Sequence, residues 1–373
     1  MKPSFRKTWA EVDLNALEHN VRVLHDYHQK ELIAVIKANA YGHGDIMLAR
    51  HLERIGTHMC AVATLDEAIN LRNHGIHMDI LCMGYVEAED LELAYQNDVI
   101  VTMVSLDWVI KAPTVSGLRV HVKLDTGMNR LGIKFQNDLD AALDVADSKG
   151  FVLEGIYTHF ASSDEPSNVQ TTAQYNLFNQ MVERVNRSFK WIHCANSGAV
   201  VNFPTPFCNA VRIGLSLYGY SDYDVDLKPL MKLHAPILDV KALAKGESVG
   251  YGASYVAEED ELVGTIGIGY ADGLSRHFQG AHCAIDGQLH EYVGRICMDL
   301  AIVKLDKVYP IGTMVEILGP HIDVYALAKH LGTIPYEIFP QLNDRIPRVY
   351  ILNGEPVAYL NARFPSPKLV EPK

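Results

Sequence analysis

The sequence predicts an α/β protein with an N-terminal, TIM-like (β/α)₈ barrel over residues 1–232 and a mostly β C-terminal domain over residues 233–373. Between residues 33 and 212, eight short β-rich runs alternate with polar segments of helical period. Alternating strands and helices favour a parallel sheet, and eight strands favour a closed barrel. A doubly wound sheet of about six or seven strands is the alternative, because one miscounted run would change the choice. From Leu233 onward, glycines cluster and strand-like runs are short and closely spaced, as in all-β domains.

Each predicted barrel strand is an apolar run that ends just before a polar segment. The runs are IAVI (33–36), CAVA (60–63), DILCM (79–83), IVTMV (100–104), RVHVKL (119–124), LEGIY (153–157), WIHCA (191–195) and CNAV (208–211). Helices are predicted between them, for instance over Asp66–His74 and Thr171–Val185. An earlier run, TWAEVDL (8–14), precedes the barrel and is a candidate to pair with the β domain.

The predicted β domain is recognised by strand-like runs with turn residues between them. These runs are APILDVKAL (235–243), HCAID (282–286), EYVGRI (291–296), AIVKL (301–305) and MVEIL (314–318). Near the end of the domain, DVYALAKHLG (323–332) predicts a short helix, and YEIF (336–339) predicts a turn after it.

The overall composition excludes several classes of protein. The formal net charge of −12 argues against nucleic acid or an anionic membrane as the main partner. No run reaches the roughly 18 apolar residues of a membrane helix, and the N-terminus lacks the apolar core of a signal peptide. The six cysteines are scattered without a CxxC pair, which indicates free thiols in a reducing compartment. We therefore expect a cytoplasmic protein.

Polar side chains follow the predicted barrel strands where barrel enzymes place their active sites, at the carboxyl ends of the strands. They are Lys37 after the first run, Lys123 and Arg130 with the fifth, His159 after the sixth, Asn196 and Ser197 after the seventh, and Arg212 and Gly214 after the eighth. A cluster of cations and small residues requires an anionic ligand. The loops after strands seven and eight are the usual phosphate site of this fold, and here they offer a hydroxyl and backbone N–H groups.

The lysine in AVIKANAYGHG (34–44) predicts the identity of that ligand. A lysine held at a strand end in a partly apolar pocket loses its proton more easily than one in water. The neutral amine of Lys37 can then form a Schiff base with a carbonyl compound. Together with a phosphate site, this chemistry predicts pyridoxal 5′-phosphate as the cofactor.

The chain resembles the alanine racemase family over essentially its whole length. The matching motifs, in order, are AVIKANAYGHG (34–44), VKLDTGMNRLG (122–132), THFASSDE (158–165), HCANS (193–197), VRIGLSLYG (211–219), GYGASY (250–255), IGYADG (268–273) and GRICMD (294–299). The resemblance implies a barrel followed by a β domain, the interconversion of L- and D-alanine, and D-alanine supply for peptidoglycan. It also implies a head-to-tail homodimer in which each β domain completes the partner's site.

The resemblance assigns the two proton-transfer groups. Lys37 would hold the cofactor and act on D-alanine, and Tyr251 from the partner chain would act on L-alanine. A racemase needs one group on each face of a planar carbanion, one to take the α-proton and one to return it. Because a phenol has an unperturbed pKa near 10, the family supports this tyrosine through His159 and Arg212. A permanently charged Arg212 at the pyridine nitrogen would weaken the electron sink and favour reprotonation at Cα.

The remaining roles also come from the resemblance. Arg130 and the backbone N–H of Met298 would bind the substrate carboxylate, with the guanidinium as the geometric match. Lys123 is a candidate for carbamylation, because several family members carry a carbamate on this lysine and because two bare cations beside each other would repel. The cofactor would be bound by Lys37, Tyr41, His159, Asn196, Ser197, Arg212, Gly214, Leu215 and Tyr336, and the outer positions around the site would be Tyr270, Cys297 and Asp299. No metal is expected.

Three alternatives stay open on sequence grounds. The first is a serine or broad-specificity amino-acid racemase on the same scaffold, although tyrosines at 251 and 336 favour a small methyl group. The second is a non-catalytic, cofactor-binding barrel, which would lack the β domain and its second base. The third is a decarboxylase of similar architecture, against which IGYADG and GRICMD argue.

Overall fold

The computed structural model describes residues 5–362 and 368–369. These residues form two compact units. The barrel unit consists of residues 17–40 and 45–228, and the β unit consists of the described residues of 1–16, 41–44 and 229–373. No helix in the described part of the chain has the length and apolar character needed to cross a membrane.

The barrel unit contains a closed barrel of eight parallel strands, which confirms the predicted fold class. The first strand of the chain, β1 (Trp9–Asp13), belongs to the β unit. The barrel strands are β2 (Glu31–Val35), β3 (Met59–Val62), β4 (Asp79–Cys82), β5 (Val99–Met103), β6 (Arg119–Lys123), β7 (Val152–Tyr157), β8 (Trp191–His193) and β9 (Ala210–Ile213). Strand β9 pairs with β2 and closes the barrel. The doubly wound alternative is therefore wrong.

Helices alternate with these strands in chain order. They are α1 (Leu14–His28), α2 (Lys37–Tyr41), α3 (Asp45–Arg54), α4 (Leu65–Asn73), α5 (Leu91–Gln96), α6 (Leu106–Lys111), α7 (Gln136–Ser148), α8 (Val169–Arg184) and α9 (Ser197–Asn202). Short 3₁₀ helices span Ala88–Asp90 and Leu215–Tyr218. Local sequence accounts for several starts: Thr64, Ser105 and Asn168 each accept a hydrogen bond from a backbone N–H in the first turn that follows.

The eighth barrel strand lies later in the chain than the sequence predicted. The N–H of Cys208 donates to the carbonyl of Thr205 at 3.0 Å, so Cys208 still belongs to a turn and the strand begins at Ala210. Arg212 therefore lies within β9, whereas the sequence predicted that it would follow the strand. The next strand residue, Ile213, is the last before Gly214.

The β unit is built around one ten-stranded sheet. Its strands are β1, β10 (Met231–Leu243), β13 (Glu261–Ile266), β14 (His282–Ile285), β15 (Gln288–Glu291), β16 (Ala301–Leu305), β17 (Met314–Leu318), β18 (Arg348–Leu352), β19 (Glu355–Leu360) and β20 (Lys368–Leu369). A separate pair consists of β11 (Ser248–Val249) and β12 (Tyr255–Val256). The unit also contains α10 (Val324–Leu331), α11 (Pro335–Ile338) and 3₁₀ helices over Tyr251–Ala253, Tyr270–Asp272 and Arg276–Phe278.

Three expectations for this unit need correction. The segment predicted as a turn, 336–339, lies mostly in α11, because Pro335 starts the helix with a preset φ and no N–H to lose. The run 291–296 is a strand only at its first residue, since β15 ends at Glu291 and only an isolated bridge, Tyr292 to Val303, follows. The hairpin of β18 and β19 was not among the predicted runs.

Strand β1 occupies an interior place in the sheet of the β unit. It pairs antiparallel with β10, where Ala10 lies opposite Leu233, and parallel with β18, where Ala10 lies opposite Arg348. Its alternating pattern buries Ala10 and Val12 completely. The first strand of the chain is therefore enclosed by two strands from its C-terminal part.

Arg348 organises the chain around the loop Tyr41–Gly44 within the β unit. Its guanidinium is buried and donates to the carbonyls of Gly42 (3.0 Å), Leu342 (3.0 Å), Asn343 (2.9 Å) and Ile346 (2.6 Å). Gly42 has a φ of +76°, and a Cβ there would come within 2.2 Å of the Phe339 carbonyl oxygen. One arginine therefore satisfies backbone acceptors that secondary structure leaves open.

We expect Arg348→Met to lower the free energy of unfolding by about 3 kcal/mol, because the apolar stem is kept while several buried carbonyls lose their donor. Urea unfolding followed by circular dichroism measures the change. The control is Lys241→Met, which removes an exposed cation of β10 paired only with exposed Asp239. Equal stability of the two variants would contradict this role of Arg348.

Candidate active site

Lys37 lies at the carboxyl end of β2, at the first position of α2. The residues after it are left-handed, although none is glycine: Ala38, Asn39, Ala40 and Tyr41 have φ values of 53°, 54°, 50° and 51°. Burial and the neighbouring Arg130 lower the pKa of the Lys37 amine, which Glu67 partly opposes. A larger fraction of this amine is therefore neutral at neutral pH than in an ordinary lysine, and only the neutral amine can act as a nucleophile or as a base.

Glu67 is a site residue that the sequence reasoning missed. One carboxylate oxygen accepts the backbone N–H of Ala38 at 2.6 Å, and the other accepts the N–H groups of Ala63 (2.8 Å) and Thr64 (3.3 Å). The signal that could have found it is the capping pattern TLDE at 64–67, which opens α4. That pattern predicts the bond to Thr64 but gives no hint of the bond to Ala38.

Lys123 ends β6 and is buried. Burial, followed by the charges of Arg212 and Arg130, lowers the pKa of its amine to about 7. Its Nζ lies 5.1 Å from the ring centroid of Tyr157, and the Cζ of Arg212 lies 5.0 Å from the same centroid. The attraction of each cation to the Tyr157 ring offsets part of the repulsion between the two charges.

Arg130 is exposed on the loop after β6. Asp125 shapes this loop by accepting the N–H groups of Gly127 (3.1 Å) and Asn129 (2.9 Å). Asn129 has a φ of +55°, a conformation that asparagine tolerates better than most residues other than glycine. These hydrogen bonds fix the backbone that carries Arg130. The charge of its guanidinium lowers the pKa of Lys37, Lys123 and Arg212.

Arg212 is buried in β9, and its two terminal nitrogens are fully engaged. One donates to Nδ1 (2.6 Å) and the carbonyl (3.1 Å) of His193, and the other to the carbonyls of Thr158 (2.7 Å) and Cys194 (3.2 Å) and to Nδ1 of His159 (3.2 Å). Among the described residues, its Nε–H has no hydrogen-bond partner. An unpaired donor on a buried cation fits an acceptor such as a pyridine nitrogen that carries no proton.

The histidines beside Arg212 are held neutral, with defined tautomers. Burial and the adjacent guanidinium lower the pKa of both His159 and His193 well below the usual value. Because arginine only donates, Nδ1 is the acceptor in both rings and Nε2 carries the proton. His193 then donates through Nε2 to Nδ1 of His121 at 3.0 Å, while the Nε2–H of His159 remains a donor for another group.

Two loops are joined by hydrogen bonds where the chain leaves β8 and β9. The hydroxyl of Ser197 accepts the N–H of Gly214 at 3.0 Å and so links the two loops. Asn196 caps α9 by accepting the N–H of Ala199 at 3.1 Å, and it also accepts the hydroxyl of Ser163 at 2.5 Å. The N–H groups that open α9 at Ser197 and the 3₁₀ helix at Leu215 have no carbonyl within their helices, as anion sites require.

The β unit holds the other predicted site residues. Tyr41 and Tyr336 have ring centroids 6.3 Å apart, and burial raises the pKa of the Tyr41 phenol. Tyr251 is 70% exposed, and its hydroxyl makes no hydrogen bond to a described residue. An exposed tyrosine on a turn flanked by glycines is typical of a side chain that binds to another protein surface.

A second group in the β unit joins the segments around Tyr270 and Met298. The N–H of Tyr270 donates to the carbonyl of Cys297 at 3.0 Å, and the N–H of Ala271 donates to that of Met298 at 2.9 Å. Asp299 pairs with Arg345 at 2.7 Å. The side chain of Met298 is 53% exposed, so this segment also presents an open face.

The predicted site residues divide into two sets, one in each unit of the chain. The set at the carboxyl end of the barrel strands comprises Lys37, Lys123, Arg130, His159, Asn196, Ser197, Arg212, Gly214 and Leu215. The set in the β unit comprises Tyr41, Tyr251, Tyr270, Cys297, Met298, Asp299 and Tyr336. Electrostatic coupling links Lys37, Lys123, Arg130, His159 and Arg212 within the first set.

Known proteins resemble the chain along its full length. Family models for the alanine racemase N-terminal and C-terminal domains match residues 12–222 and 230–350. The alanine racemase of Anoxybacillus flavithermus is 39% identical, over 97% of this chain and 99% of that protein. The solved structure of alanine racemase from Bacillus anthracis with bound L-Ala-P has a TM-score of 0.92 at 35% identity, covering 96% of this chain and 99% of that one. A histidine racemase from Leuconostoc mesenteroides is similar at 28% identity and a TM-score of 0.87, covering 93% and 99%.

Proposed function

The chain belongs to the alanine racemase family, whose reaction is the interconversion of L- and D-alanine, and we propose that it moves the α-proton between Lys37 and Tyr251 with pyridoxal 5′-phosphate as cofactor. The observation that carries the proposal is the Nε–H of buried Arg212, which has no hydrogen-bond partner among the described residues. Arg212 lies at the end of the barrel that also holds Lys37, Lys123, Arg130 and His159. A racemase of this kind uses two bases, and the proposed second base, Tyr251, belongs to the β domain that the chain has.

The residues of the barrel unit fit the proposed cofactor. The Lys37 amine would hold it covalently, and the hydroxyl of Ser197 with the N–H groups around Gly214 and Leu215 would bind its phosphate. Asn196 shapes that phosphate site, and Tyr41 and Tyr336 are the proposed phosphate ligands from the β unit. When bound, pyridoxal phosphate withdraws electrons from Cα of an attached amino acid and makes its α-proton acidic.

Arg212 would set the strength of this activation. Its Nε–H can only donate, so it would keep an acceptor nitrogen free of a proton, whereas a carboxylate in its place would keep that nitrogen protonated. Weaker activation shortens the life of the carbanion. The residues then favour returning a proton to Cα over side reactions, which suits a racemase.

Two proton carriers on opposite faces complete the reaction. The Nζ of Lys37 would take the proton from D-alanine and return it in the reverse direction. The Oη of Tyr251 of the partner subunit would do the same for L-alanine. The Nε2–H of His159 is the donor that would stabilise the phenolate, and the positive charges that depress the pKa of His159 would favour that phenolate as well.

Arg130 would pair with the substrate carboxylate, together with the backbone N–H of Met298 of the partner subunit. Tyr251 and Tyr336 would limit the space beside Cα, so a methyl group would fit best. We further propose a functional division into residues 1–232 and 233–373, which the family matches to 12–222 and 230–350 support. Tyr270, Cys297 and Asp299 are proposed outer positions of the site. We also propose a cytoplasmic enzyme that supplies D-alanine for peptidoglycan.

The experiment is turnover of L-alanine to D-alanine by the purified protein loaded with pyridoxal phosphate. We expect kcat/KM for L-alanine to exceed the values for L-serine and L-histidine, which test the broad-specificity alternative and the activity of the related histidine racemase. A higher value for either competitor would replace the proposed substrate. No turnover of any of them, with cofactor bound, would favour the non-catalytic alternative.

The proposed homodimer predicts complementation between two inactive variants. Lys37→Ala and Tyr251→Phe, mixed under conditions of subunit exchange, form heterodimers in which one site carries both defects and the other carries neither. We expect activity to appear on mixing and to track the heterodimer fraction measured by native mass spectrometry. Proven exchange without activity would place Tyr251 outside the partner's site.

We propose that Lys123 carries a carbamate, and that activity therefore depends on carbon dioxide. With a pKa of about 7, much of its amine is neutral at pH 7–8, and only the neutral amine adds to CO₂, releasing one proton and leaving an anion to pair with Arg130. We expect activity to fall in CO₂-free buffer and to return with bicarbonate. The matched variant Lys123→Glu, with a permanent anion, should not respond to bicarbonate. An equal response of both proteins would contradict the carbamate.

A further inference from the structure

We propose that Glu67 is a positioning residue for Lys37: its carboxylate fixes the backbone N–H that follows the lysine and supplies a negative charge against the cation cluster. This inference rests on the proposed function, in which Lys37 holds the cofactor and carries a proton. The observation that carries it is the 2.6 Å hydrogen bond from the Ala38 N–H to Glu67, and the effect of the Glu67 charge on Lys37 supports it.

The hydrogen-bonding capacity of Glu67 exceeds what its helix requires. At the start of α4, the Glu67 carboxylate accepts the Thr64 N–H while the Thr64 hydroxyl accepts the Glu67 N–H, which completes a capping box. That task uses one oxygen, which also accepts the N–H of Ala63. The other oxygen reaches Ala38, on a different strand connection, so the side chain ties the end of β3 to the end of β2.

The backbone after Lys37 needs such a tie. Left-handed conformations cost roughly 1–2 kcal/mol for each residue other than glycine, and Ala38, Asn39 and Ala40 are all left-handed in succession. Such a segment persists only where surrounding contacts determine it. Ala38 is the first residue of the segment, so the bond to its N–H sets the direction in which the chain leaves Lys37.

Charge gives Glu67 a second effect on the same lysine. Arg130 from the loop after β6 and Glu67 from α4 act on Lys37, whose own charge acts on Lys123 at the end of β6 and on His159 after β7. Arg130 is a permanent cation, His159 is held neutral, and the pKa of Lys123 is lowered to about 7. Glu67 is the carboxylate that raises the pKa of Lys37 against burial and Arg130. Its removal should lower that pKa further.

The test compares Glu67→Gln with wild type, first without cofactor. The amide keeps the size of the side chain and can still cap the helix through its oxygen. Its NH₂ group would then face the Ala38 N–H, and because both groups are donors, this hydrogen bond would be lost. We expect backbone hydrogen exchange in the peptide containing Ala38 to rise by about tenfold or more, measured by mass spectrometry. We also expect the pH profile for formation of the covalent adduct with added pyridoxal phosphate to shift to lower pH, because the protonated amine has lost a partner.

In the loaded enzyme, Glu67→Gln should lower kcat by about 10- to 100-fold with a smaller effect on KM, as expected for a misdirected base. Two controls separate this role from helix capping. Asp66→Asn removes an exposed neighbouring carboxylate and should leave exchange at Ala38 and the adduct profile unchanged. Thr64→Val breaks the capping box and should lower stability without shifting the adduct profile.

A Glu67→Gln protein that loses stability as Thr64→Val does, with exchange at Ala38 and the adduct pH profile both as in wild type, would overturn the proposal and leave only a capping role. Failure of the proposed function looks different. If wild-type protein formed no adduct or did not racemise alanine, exchange at Ala38 in the unloaded protein would still decide whether Glu67 fixes this backbone.

Discussion

Lys37→Ala should purify without covalently held pyridoxal phosphate and should lose racemase activity by about 10⁴-fold or more, since the substitution removes both the anchoring amine and one positioned base. Wild-type protein treated with borohydride should carry the cofactor on the peptide that contains Lys37, identified by mass spectrometry. The control Lys111→Ala, an exposed lysine of α6, should keep the label and the activity.

Lys123 is the other lysine on which the cofactor label could be found. Lys123 is buried in the same cluster, and with a pKa of about 7 it has a large neutral fraction at neutral pH. Reactivity alone therefore does not choose between the two amines. The positions of the two lysines differ. Lys37 follows β2 on a backbone hydrogen-bonded to Glu67, whereas Lys123 ends β6 with its Nζ 5.1 Å from the ring centroid of Tyr157. Label on Lys123 in wild type would overturn the assignment.

Tyr251→Phe should separate the two faces of the substrate. The ring still fills its space, but the oxygen that would act on L-alanine is gone. We expect exchange of the α-proton of L-alanine with solvent deuterium to fall by about 10²- to 10⁴-fold. Exchange from D-alanine, which depends on Lys37, should fall much less and should proceed with retention of configuration. Nuclear magnetic resonance of each enantiomer during incubation measures both rates.

The partial reaction is needed because the overall one hides the asymmetry. At equilibrium the two enantiomers of alanine are equally stable, so net racemisation rates in the two directions cannot change independently. His159→Leu serves as a comparison, since it would remove the N–H donor that supports the phenolate but leave the phenol in place. Equal loss of exchange from both enantiomers in Tyr251→Phe would show that this tyrosine only shapes the pocket.

Local patterns in the sequence were enough to predict the barrel. Each of the eight runs is apolar, short and followed by a helical segment, and a strand such as β3, buried at every position, leaves little ambiguity. The same local logic predicted Lys37 and Ser197 as strand-end residues. It misplaced the start of the last barrel strand by two residues, because the turn that delays it depends on a hydrogen bond between Cys208 and Thr205.

What the sequence could not predict depends on contacts between distant residues. The bond from Ala38 to Glu67 joins two separate strand connections, and the tautomers of His159 and His193 follow from an arginine on another strand. The left-handed run after Lys37 contains no glycine in its first three residues, so the residue types do not indicate this backbone conformation. Tyr251 shows the complementary case, a motif residue whose proposed role requires a surface outside its own unit.

The interior place of β1 in its sheet has a consequence for how the protein is made. Ribosomes release a chain from its N-terminus, so β1 emerges before any of its neighbours, and the whole barrel unit is synthesised before β10 follows. Strand β18, its parallel neighbour, is translated later still, after β10. During that interval the apolar face of Ala10 and Val12 and both strand edges are without partners, a state prone to association with other chains. The strand translated first is therefore among the last to be folded.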